Sequence, residues 1–405
     1  MSPRKLILRC ALSVGDIVML TAAVRDLHRT YPGQFVTDVR TSCPALWEHN
    51  PLVTPLDEKA AGVEVIECAY PLINRANALP FHCLHGFIHF LNERLGLNIQ
   101  PTAFHGDVPI ARREKGWFSQ VHELTGADTP LWIIGAGGKH DLTVKWWDHR
   151  RYQEVVDHFR GRLQFVQVGG CGDHHPRLDG VIDLRGLTDL RQLVRLVYHA
   201  QGVLCPVTLL MHLAAAVEVR SGMPKNRPCV VVAGGREPSQ WEAYPHHQYI
   251  HTNGALRCCD HGGCWKSRVV PLGDGDGKDA ADKLCVDVVE LATGRRQSGA
   301  AWGREMGNGG ERNGGERSTS NAQRSTLKDG AAAADTNAPS TIHHAPSTPP
   351  AFLPRCLDMI TAEEVVKRIE LYFDGGAVRY LTEVQAAVCA KTIPALEWAT
   401  ALAMA

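Results

Sequence analysis

The chain has 405 residues, which is enough for two domains of ordinary size, each with its own hydrophobic core. Its 43 lysine and arginine residues balance its 43 aspartate and glutamate residues, so no overall charge favours nucleic acid or an anionic membrane as a partner. No apolar run has the length of a transmembrane helix, and the N-terminus enters a strand without the apolar core of a signal peptide. We therefore expect a soluble cytoplasmic protein without an integral membrane segment.

The first predicted elements surround a glycine turn. The apolar run 6–12 breaks at the SVGD segment 13–16, and apolar residues then recur at helical spacing over 17–27. This pattern predicts a strand, a tight turn and a helix. Since open α/β sheets bind ligands at the carboxyl ends of their strands, Asp16 is placed where a binding crevice forms. Its carboxylate either caps the helix or acts as a general base that faces a second domain.

Two short strands, 35–39 and 63–66, and an amphipathic helix follow. The helix carries His82, His85 and His89 on one face. Helical spacing of this kind can bind a metal ion. The alternative, which we favour, is that the three rings pack along a cleft between domains or contact a substrate there.

A second α/β unit begins near residue 130. Its strands and helices alternate, which is typical of a doubly wound sheet. The predicted elements are a strand from 131 into the glycines at 135–138, a helix 148–159, a strand 163–169, a helix 190–199, a strand 202–204, a helix 209–217 and a strand 228–233.

Lys145 follows the glycine-rich turn of this second unit. Glycines in a strand-to-helix turn are needed for geometry alone and are a weak signal of phosphate binding. The lysine ten residues after Gly135 could nevertheless place its charge on a diphosphate leaving group. A solvated loop lysine is the other interpretation.

Thr208 stands at the start of a helix with a small-residue interior. Free backbone N–H groups at such an N-terminus, together with the threonine hydroxyl, can bind a phosphate. His212, one turn further, is either a packed histidine or a ligand contact. After the last strand, Arg236 and Glu242 either touch the sugar or base of a nucleotide or form a surface ion pair.

The composition changes after residue 293. Segment 294–350 is rich in Gly, Ala, Ser, Thr, Asn and Arg and has few large apolar residues, which predicts a disordered low-complexity insertion. Thr361 and Glu364 then have the spacing of a capping box at the start of an amphipathic helix. We expect C-terminal helices over 361–405.

Five cysteines lie in polar, glycine-rich loops near the C-terminus: Cys258, Cys259, Cys264, Cys285 and Cys356. If the insertion is left out of the count, the last interval is close in size to the one before it. Four thiolates in a tetrahedron suit zinc or iron, and such a site would be structural because it has no open position. The alternative is a group of buried thiols without a metal.

Four segments resemble the ADP-heptose heptosyltransferases of glycosyltransferase family 9: 13–16, 145–147, 183–197 and 208–216. The resemblance covers roughly residues 5 to 255. It implies an α/β protein of GT-B architecture, with two Rossmann-like domains facing a cleft and no catalytic metal. It also implies that Asp16 is the general base on an acceptor hydroxyl. The residues expected at the donor are Gly15, Gly137, Lys145, Thr208, Leu209, His212, Arg236 and Glu242.

One departure from the family pattern concerns the donor loop. The family usually has Asp-Thr-Gly where this chain has Val207, Thr208 and Leu209. The missing aspartate and glycine leave the exact donor open. A catalytically inactive nucleotide-sugar-binding or sensor protein on the same scaffold is therefore the second hypothesis, and a metal-dependent redox protein is a third.

The cysteine cluster is similar to the iron-binding motif of the bacterial autotransporter heptosyltransferases, which glycosylate adhesin serines and assemble as rings. On that resemblance the ligands are Cys259, Cys264, Cys285 and Cys356, with Cys258 as the alternative for the first place. The implied partners are ADP-heptose or a similar nucleotide sugar, an acceptor glycan or bacterial surface protein, and further copies of the chain.

The expected domains follow the chain order. They are an N-terminal acceptor domain (1–115), a nucleotide-sugar domain (125–255), a cysteine-rich metal knuckle (256–290 with 351–360), the insertion (294–350) and the C-terminal helices (361–405).

Overall fold

The computed structural model describes residues 2–223, 226–293, 296–298 and 351–374. In the first half, β1 (Arg4–Cys10), β2 (Phe35–Thr41) and β3 (Val63–Glu67) form a parallel sheet in the order β2-β1-β3. Two helices, α1 (Val14–Thr30) and α2 (His85–Leu95), pack against each other beside this sheet. The apolar run of β1 is buried because it is the central strand, which confirms the predicted strand, turn and helix.

A six-stranded parallel sheet forms the second half, and short helices precede it and alternate with its strands. The helices are α3 (Arg112–Lys115), α4 (Gln120–Thr125), α5 (His149–His158), α6 (Leu190–His199), α7 (Leu209–Ala216) and α8 (Ser239–Glu242). The strands are β4 (Leu131–Ile134), β5 (Gln164–Gln167), β6 (Ile182–Asp183), β7 (Gly202–Pro206), β8 (Cys229–Gly234) and β9 (His247–His251).

The strand order of the second sheet is β6-β5-β4-β7-β8-β9. The order reverses between β4 and β7, and ligands of doubly wound sheets bind at this switch point, outside the carboxyl ends of the strands. The loops that leave β4 and β7 carry Gly137, Lys145 and Thr208, so these predicted donor residues follow the strands at the switch point.

The two halves share one apolar core. Residues of α1 and residues of α7 belong to the same buried cluster, and the two helices are in contact. The turn before α1 and the start of α7 are thereby held on facing sides of the boundary between the halves.

A small antiparallel sheet completes the described fold. It pairs β10 (Asp287–Glu290) with β11 (Arg296–Ser298) and β12 (Phe352–Pro354), and it is followed by α9 (Arg355–Asp358) and α10 (Ala362–Phe373). The predicted insertion therefore begins later than residue 294, because β11 is a paired strand. The rest of the insertion, 299–350, and the predicted helices beyond residue 374 lie outside the described residues.

The ends of two predicted helices shift. The helix predicted from His82 begins at His85, because the backbone N–H of Leu84 donates to the His82 ring in a preceding turn. The helix predicted from Asp148 has that residue as its N-cap, with the carboxylate accepting from the N–H of Arg150. Across the described residues, the structure contains no helix that could cross a membrane.

Gly137 is expected to be the least replaceable residue of the glycine turn. Its φ is 149°, and an added Cβ would lie 1.8 Å from the carbonyl oxygen of His174. We expect Gly137→Ala to lower the free energy of unfolding by about 2–6 kcal/mol, from steric overlap and backbone strain together. Chemical denaturation measures this loss.

The matched control is Gly126→Ala. This glycine also has a positive φ, 72°, but nothing lies within 4 Å of an added Cβ. It should cost only about 1 kcal/mol. Equal losses in the two variants would contradict the restriction by His174.

Candidate active site

Asp16 lies in the first turn of α1, at the boundary between the halves. The N-cap of the helix is Ser13, and the Ser13 hydroxyl donates to Asp16 Oδ2 at 2.7 Å. Burial raises the pKa of Asp16, and the Ser13 hydrogen bonds and the charges of Lys145 and Lys139 oppose that rise. Asp16 is the third residue of α1 and also accepts from the backbone N–H of Ser13, so it takes part in capping the helix. Lys145 and Lys139 belong to the second half, and the role of Asp16 as a general base stays a prediction.

Lys145 is held in an ion pair and is not a solvated loop lysine. Its Nζ lies 2.6 Å from Glu237 Oε1 and 3.3 Å from the carbonyl oxygen of Val207, and only 14% of its side chain is exposed. Burial alone would raise the pKa of Glu237, but the charges of Arg236 and Lys145 outweigh it, so that pKa is lowered. A cation therefore stands at the switch point beside the end of β7.

Glu237 was not identified from the sequence. It is 2% exposed, and within the described part of the chain its Oε2 atom has no hydrogen-bond partner. The only signal was its place in the polar segment directly after β8. A buried carboxylate that holds a lysine is a natural competitor for a bound phosphate.

Thr208 is the N-cap of α7, and its side chain makes no capping hydrogen bond. Its hydroxyl donates to the carbonyl oxygen of Pro206 at 3.3 Å. In the first turn of α7 the N–H of Met211 donates to the carbonyl oxygen of Thr208 at 3.2 Å, whereas the N–H groups of Leu209 and Leu210 lie ahead of the helical hydrogen bonds and face the loop. These donors lie next to Lys145, which contacts the neighbouring Val207.

His212 and Glu242 are buried and lie close to each other near Asp16 and Lys145. His212 packs on the turn that carries Asp16, where an added Cβ on Gly15 would lie 3.1 Å from the ring. Burial and Lys145 lower the pKa of His212 to about 3, whereas burial and Glu237 raise the pKa of Glu242 to about 8. Both groups are thus uncharged near neutral pH, and their 3.8 Å separation is not an ion pair under that condition.

Arg236 joins the cleft to the cysteine-rich loop. Its guanidinium contacts Glu237, donates to the carbonyl oxygen of Lys266 at 2.6 Å and lies over the Trp265 ring. The visible contacts of this arginine are therefore within the protein. The expected donor contacts of Arg236 and Gly137 stay predictions.

Four cysteines line one cavity beside the small sheet: Cys258, Cys264, Cys285 and Cys356. The thiol of Cys258 hydrogen-bonds to Cys264 and lowers the pKa of Cys264 to about 7. Burial raises the pKa of Cys285 to about 11. No three of these sulfur atoms lie within 4.8 Å of one another, so the described residues do not form a preformed metal centre here and the four-cysteine metal site stays a prediction.

Cys259 does not line this cavity. It is 1% exposed, and its thiol donates to the carbonyl oxygens of Leu256 and Thr252. Cys258 thus lines the cavity and Cys259 does not, and the choice between them for the first ligand position stays a prediction. The two cysteines are adjacent on a short 3₁₀ turn, so their side chains point in different directions. Their positions in the sequence do not show which of them faces the cavity.

The predicted histidine face does not converge. His82 is buried beside the thiol of Cys83, His85 contacts the ring of Phe104, and His89 lies 3.2 Å from Glu93. Among the described residues, the groups whose ligand atoms come close enough for one metal ion are Cys83–His212–Glu242 and Glu48–His49–Glu114. The favoured packed arrangement agrees with these contacts.

No protein-family model and no curated protein sequence matches the chain. Several solved structures are similar. A glycosyl transferase family 9 protein from Veillonella parvula aligns with a TM-score of 0.49 and 14% identity over 62% of this chain and 87% of its own. The E. coli ADP-heptose LPS heptosyltransferase II gives 0.43 and 18%, over 61% and 89%.

The iron-containing dodecameric glycosyltransferase TibC from enterotoxigenic E. coli gives a TM-score of 0.44 and 15% identity, over 64% of this chain and 66% of its own. Because these TM-scores are below 0.5 and these identities are below 25%, the function is inferred from the residues of this chain.

Proposed function

We propose that the protein is a glycosyltransferase that moves a heptose, or a related sugar, from an ADP-sugar to an acceptor hydroxyl. The hydroxyl of a protein serine is one candidate acceptor. The observation that carries this proposal is the placement of one carboxylate, Asp16, on the first half, opposite Lys145 and the start of α7 on the second. A base and an anion site on facing halves are what direct displacement requires.

In this mechanism the acceptor oxygen attacks the anomeric carbon while the bond from that carbon to the diphosphate breaks. Asp16 takes the proton of the acceptor hydroxyl, and Ser13 orients the carboxylate through its hydrogen bond. ADP departs with the electron pair of the broken bond toward Lys145 and the N–H groups at the start of α7. The step itself needs no metal.

In this proposal Glu237 holds the ammonium group of Lys145 in position through an ion pair. Without a donor, the carboxylate neutralises the lysine at 2.6 Å. A diphosphate carries more charge and can share the same ammonium group. The ammonium group of Lys145 is thus oriented in a mostly buried position before the donor binds, and the diphosphate competes with Glu237 for it.

The cysteine cavity supports the second half of the site. Cys258, Cys264, Cys285 and Cys356 would hold zinc or iron, which supplies structural cross-linking and leaves no position for chemistry. The loop is fixed to the first half as well, because the Asn77 side chain donates to the carbonyl oxygen of Gly263.

The test is the release of ADP from ADP-heptose with and without an acceptor, followed by mass spectrometry of a co-expressed adhesin or surface protein. Transfer adds a fixed mass to the acceptor and releases one ADP for each sugar. A protein that binds ADP-heptose but releases no ADP with any acceptor would instead be the inactive binder, which the departures at Val207 and Leu209 favour.

Lys145→Met is expected to weaken ADP binding by roughly 10–100-fold, the loss of one charge-assisted hydrogen bond to phosphate. Isothermal titration with ADP measures the change. The control is Lys115→Met, which removes an ion pair with Glu218 on the connecting segment. Unchanged ADP affinity in Lys145→Met would place the diphosphate elsewhere.

A further inference from the structure

Three buried ligand groups meet where the halves join. The ligand atoms of Cys83, His212 and Glu242 all lie within 4.8 Å of one another, and each of the three residues is buried. Cys83 belongs to the first half, in the turn before α2, whereas His212 and Glu242 belong to the second. None of the three residues lines the four-cysteine cavity. The group is next to the proposed transfer site, because the His212 ring packs on the turn that carries Asp16.

The separations suit a tetrahedral ion. Zinc bonds of about 2.0–2.3 Å place neighbouring ligand atoms roughly 3.3–3.8 Å apart. His212 Nε2 and Glu242 Oε2 are already 3.8 Å apart. The thiol of Cys83 lies within 4.8 Å of both atoms.

Each ligand is oriented by a contact behind it. The other ring nitrogen of His212, Nδ1, hydrogen-bonds to the hydroxyl of Tyr244 at 2.8 Å, which is how metal-binding histidines are usually held. The backbone N–H of Cys83 donates to the carbonyl oxygen of Trp241 at 2.8 Å, the residue directly before Glu242. That bond fixes Cys83 next to Glu242 across the boundary.

Glu242 supplies the second observation. The residue is 8% exposed, and its Oε2 atom, which lies 3.8 Å from His212 Nε2, has no hydrogen-bond partner among the described residues. A buried carboxyl oxygen without a partner costs free energy unless a ligand satisfies it. Thiolate, imidazole and carboxylate together are a donor set for zinc.

We infer that Cys83, His212 and Glu242 bind a zinc-class divalent cation that clamps the two halves together. Binding releases the protons of the Cys83 thiol and the Glu242 carboxyl and leaves Nε2 of His212 as the neutral donor. The clamp is structural and independent of the proposed transfer reaction. In this arrangement His212 and Glu242 are metal ligands instead of donor contacts.

The experiment counts metal ions. Protein stripped with a chelator is loaded with Zn²⁺, passed through gel filtration and analysed for zinc by mass spectrometry. We expect two equivalents in the wild type and one in Cys83→Ser and in Glu242→Gln. The control Cys43→Ser removes a buried cysteine of the first half outside this group and should retain two.

Tyr244→Phe tests the site without removing a ligand. Loss of the hydrogen bond behind His212 should weaken the second zinc ion by about 10–100-fold in a competition titration with a chromophoric chelator. If Cys83→Ser does not fold, Co²⁺ loading of Cys264→Ser/Cys285→Ser protein provides the readout, because a remaining cysteine ligand gives a thiolate-to-cobalt absorption band that Glu242→Gln must remove.

The outcomes separate this site from the four-cysteine site. A wild type that binds one equivalent, which Cys83→Ser retains, overturns the clamp. A wild type that binds one equivalent, which Cys83→Ser loses, supports the clamp and overturns the four-cysteine site.

Discussion

Asp16→Asn is expected to lower the rate of sugar transfer by about 10²–10⁴-fold, the usual contribution of a general base. The amide keeps the size of the carboxylate and can still accept from the Ser13 hydroxyl, so the fold and ADP affinity should remain. Single-turnover transfer with saturating ADP-heptose measures the rate. Wild-type turnover in this variant would exclude Asp16 as the base.

The pH profile gives an independent measurement of the same group. The base works as the carboxylate, and burial raises the pKa of Asp16 above its ordinary value. The transfer rate should therefore fall with decreasing pH at a higher pH than for an exposed aspartate, and Asp16→Asn should remove that limb. Ser13→Ala removes a hydrogen bond that stabilises the charged form, so it should move the limb to higher pH.

The sequence predicted the parts of the fold that depend on local pattern. The buried runs of β4 and β8 and the amphipathic α6 follow directly from apolar periodicity, and α6 was predicted with its observed bounds. It missed β9 because the polar and histidine-rich HQYIH has only one fully buried residue, Ile250, and gains its place by pairing with β8.

Site residues that follow a glycine turn at the end of a strand could be predicted from the sequence. Site residues that depend on contacts between distant parts of the chain were missed. Asp16 and Lys145 follow glycine turns at strand ends, so their positions could be expected from topology. Glu237, Tyr244 and Cys83 have no such signal, because their importance depends on which side chains face them across the boundary.

Cys264→Ser is expected to remove the metal from the four-cysteine cavity and to lower the free energy of unfolding by about 4 kcal/mol, the stabilisation that a ligand at about 1,000 times its dissociation constant gives. The loss follows because the thiols of Cys258, Cys285 and Cys356 then surround a cavity without a fourth donor. Zinc and iron content and chemical denaturation measure the two effects.

Cys259→Ser is the matched control for this prediction. It changes the adjacent buried thiol, which bonds to backbone carbonyls and does not line the cavity, and a serine hydroxyl can donate to the same carbonyls. It should therefore keep its metal and most of its stability. Since Trp265 and Gly263 join the same loop to Asn77 of the first half, loss of the metal should also lower the transfer rate. Retention of metal in Cys264→Ser together with its loss in Cys259→Ser would instead assign the first ligand to Cys259 and move the site out of the cavity.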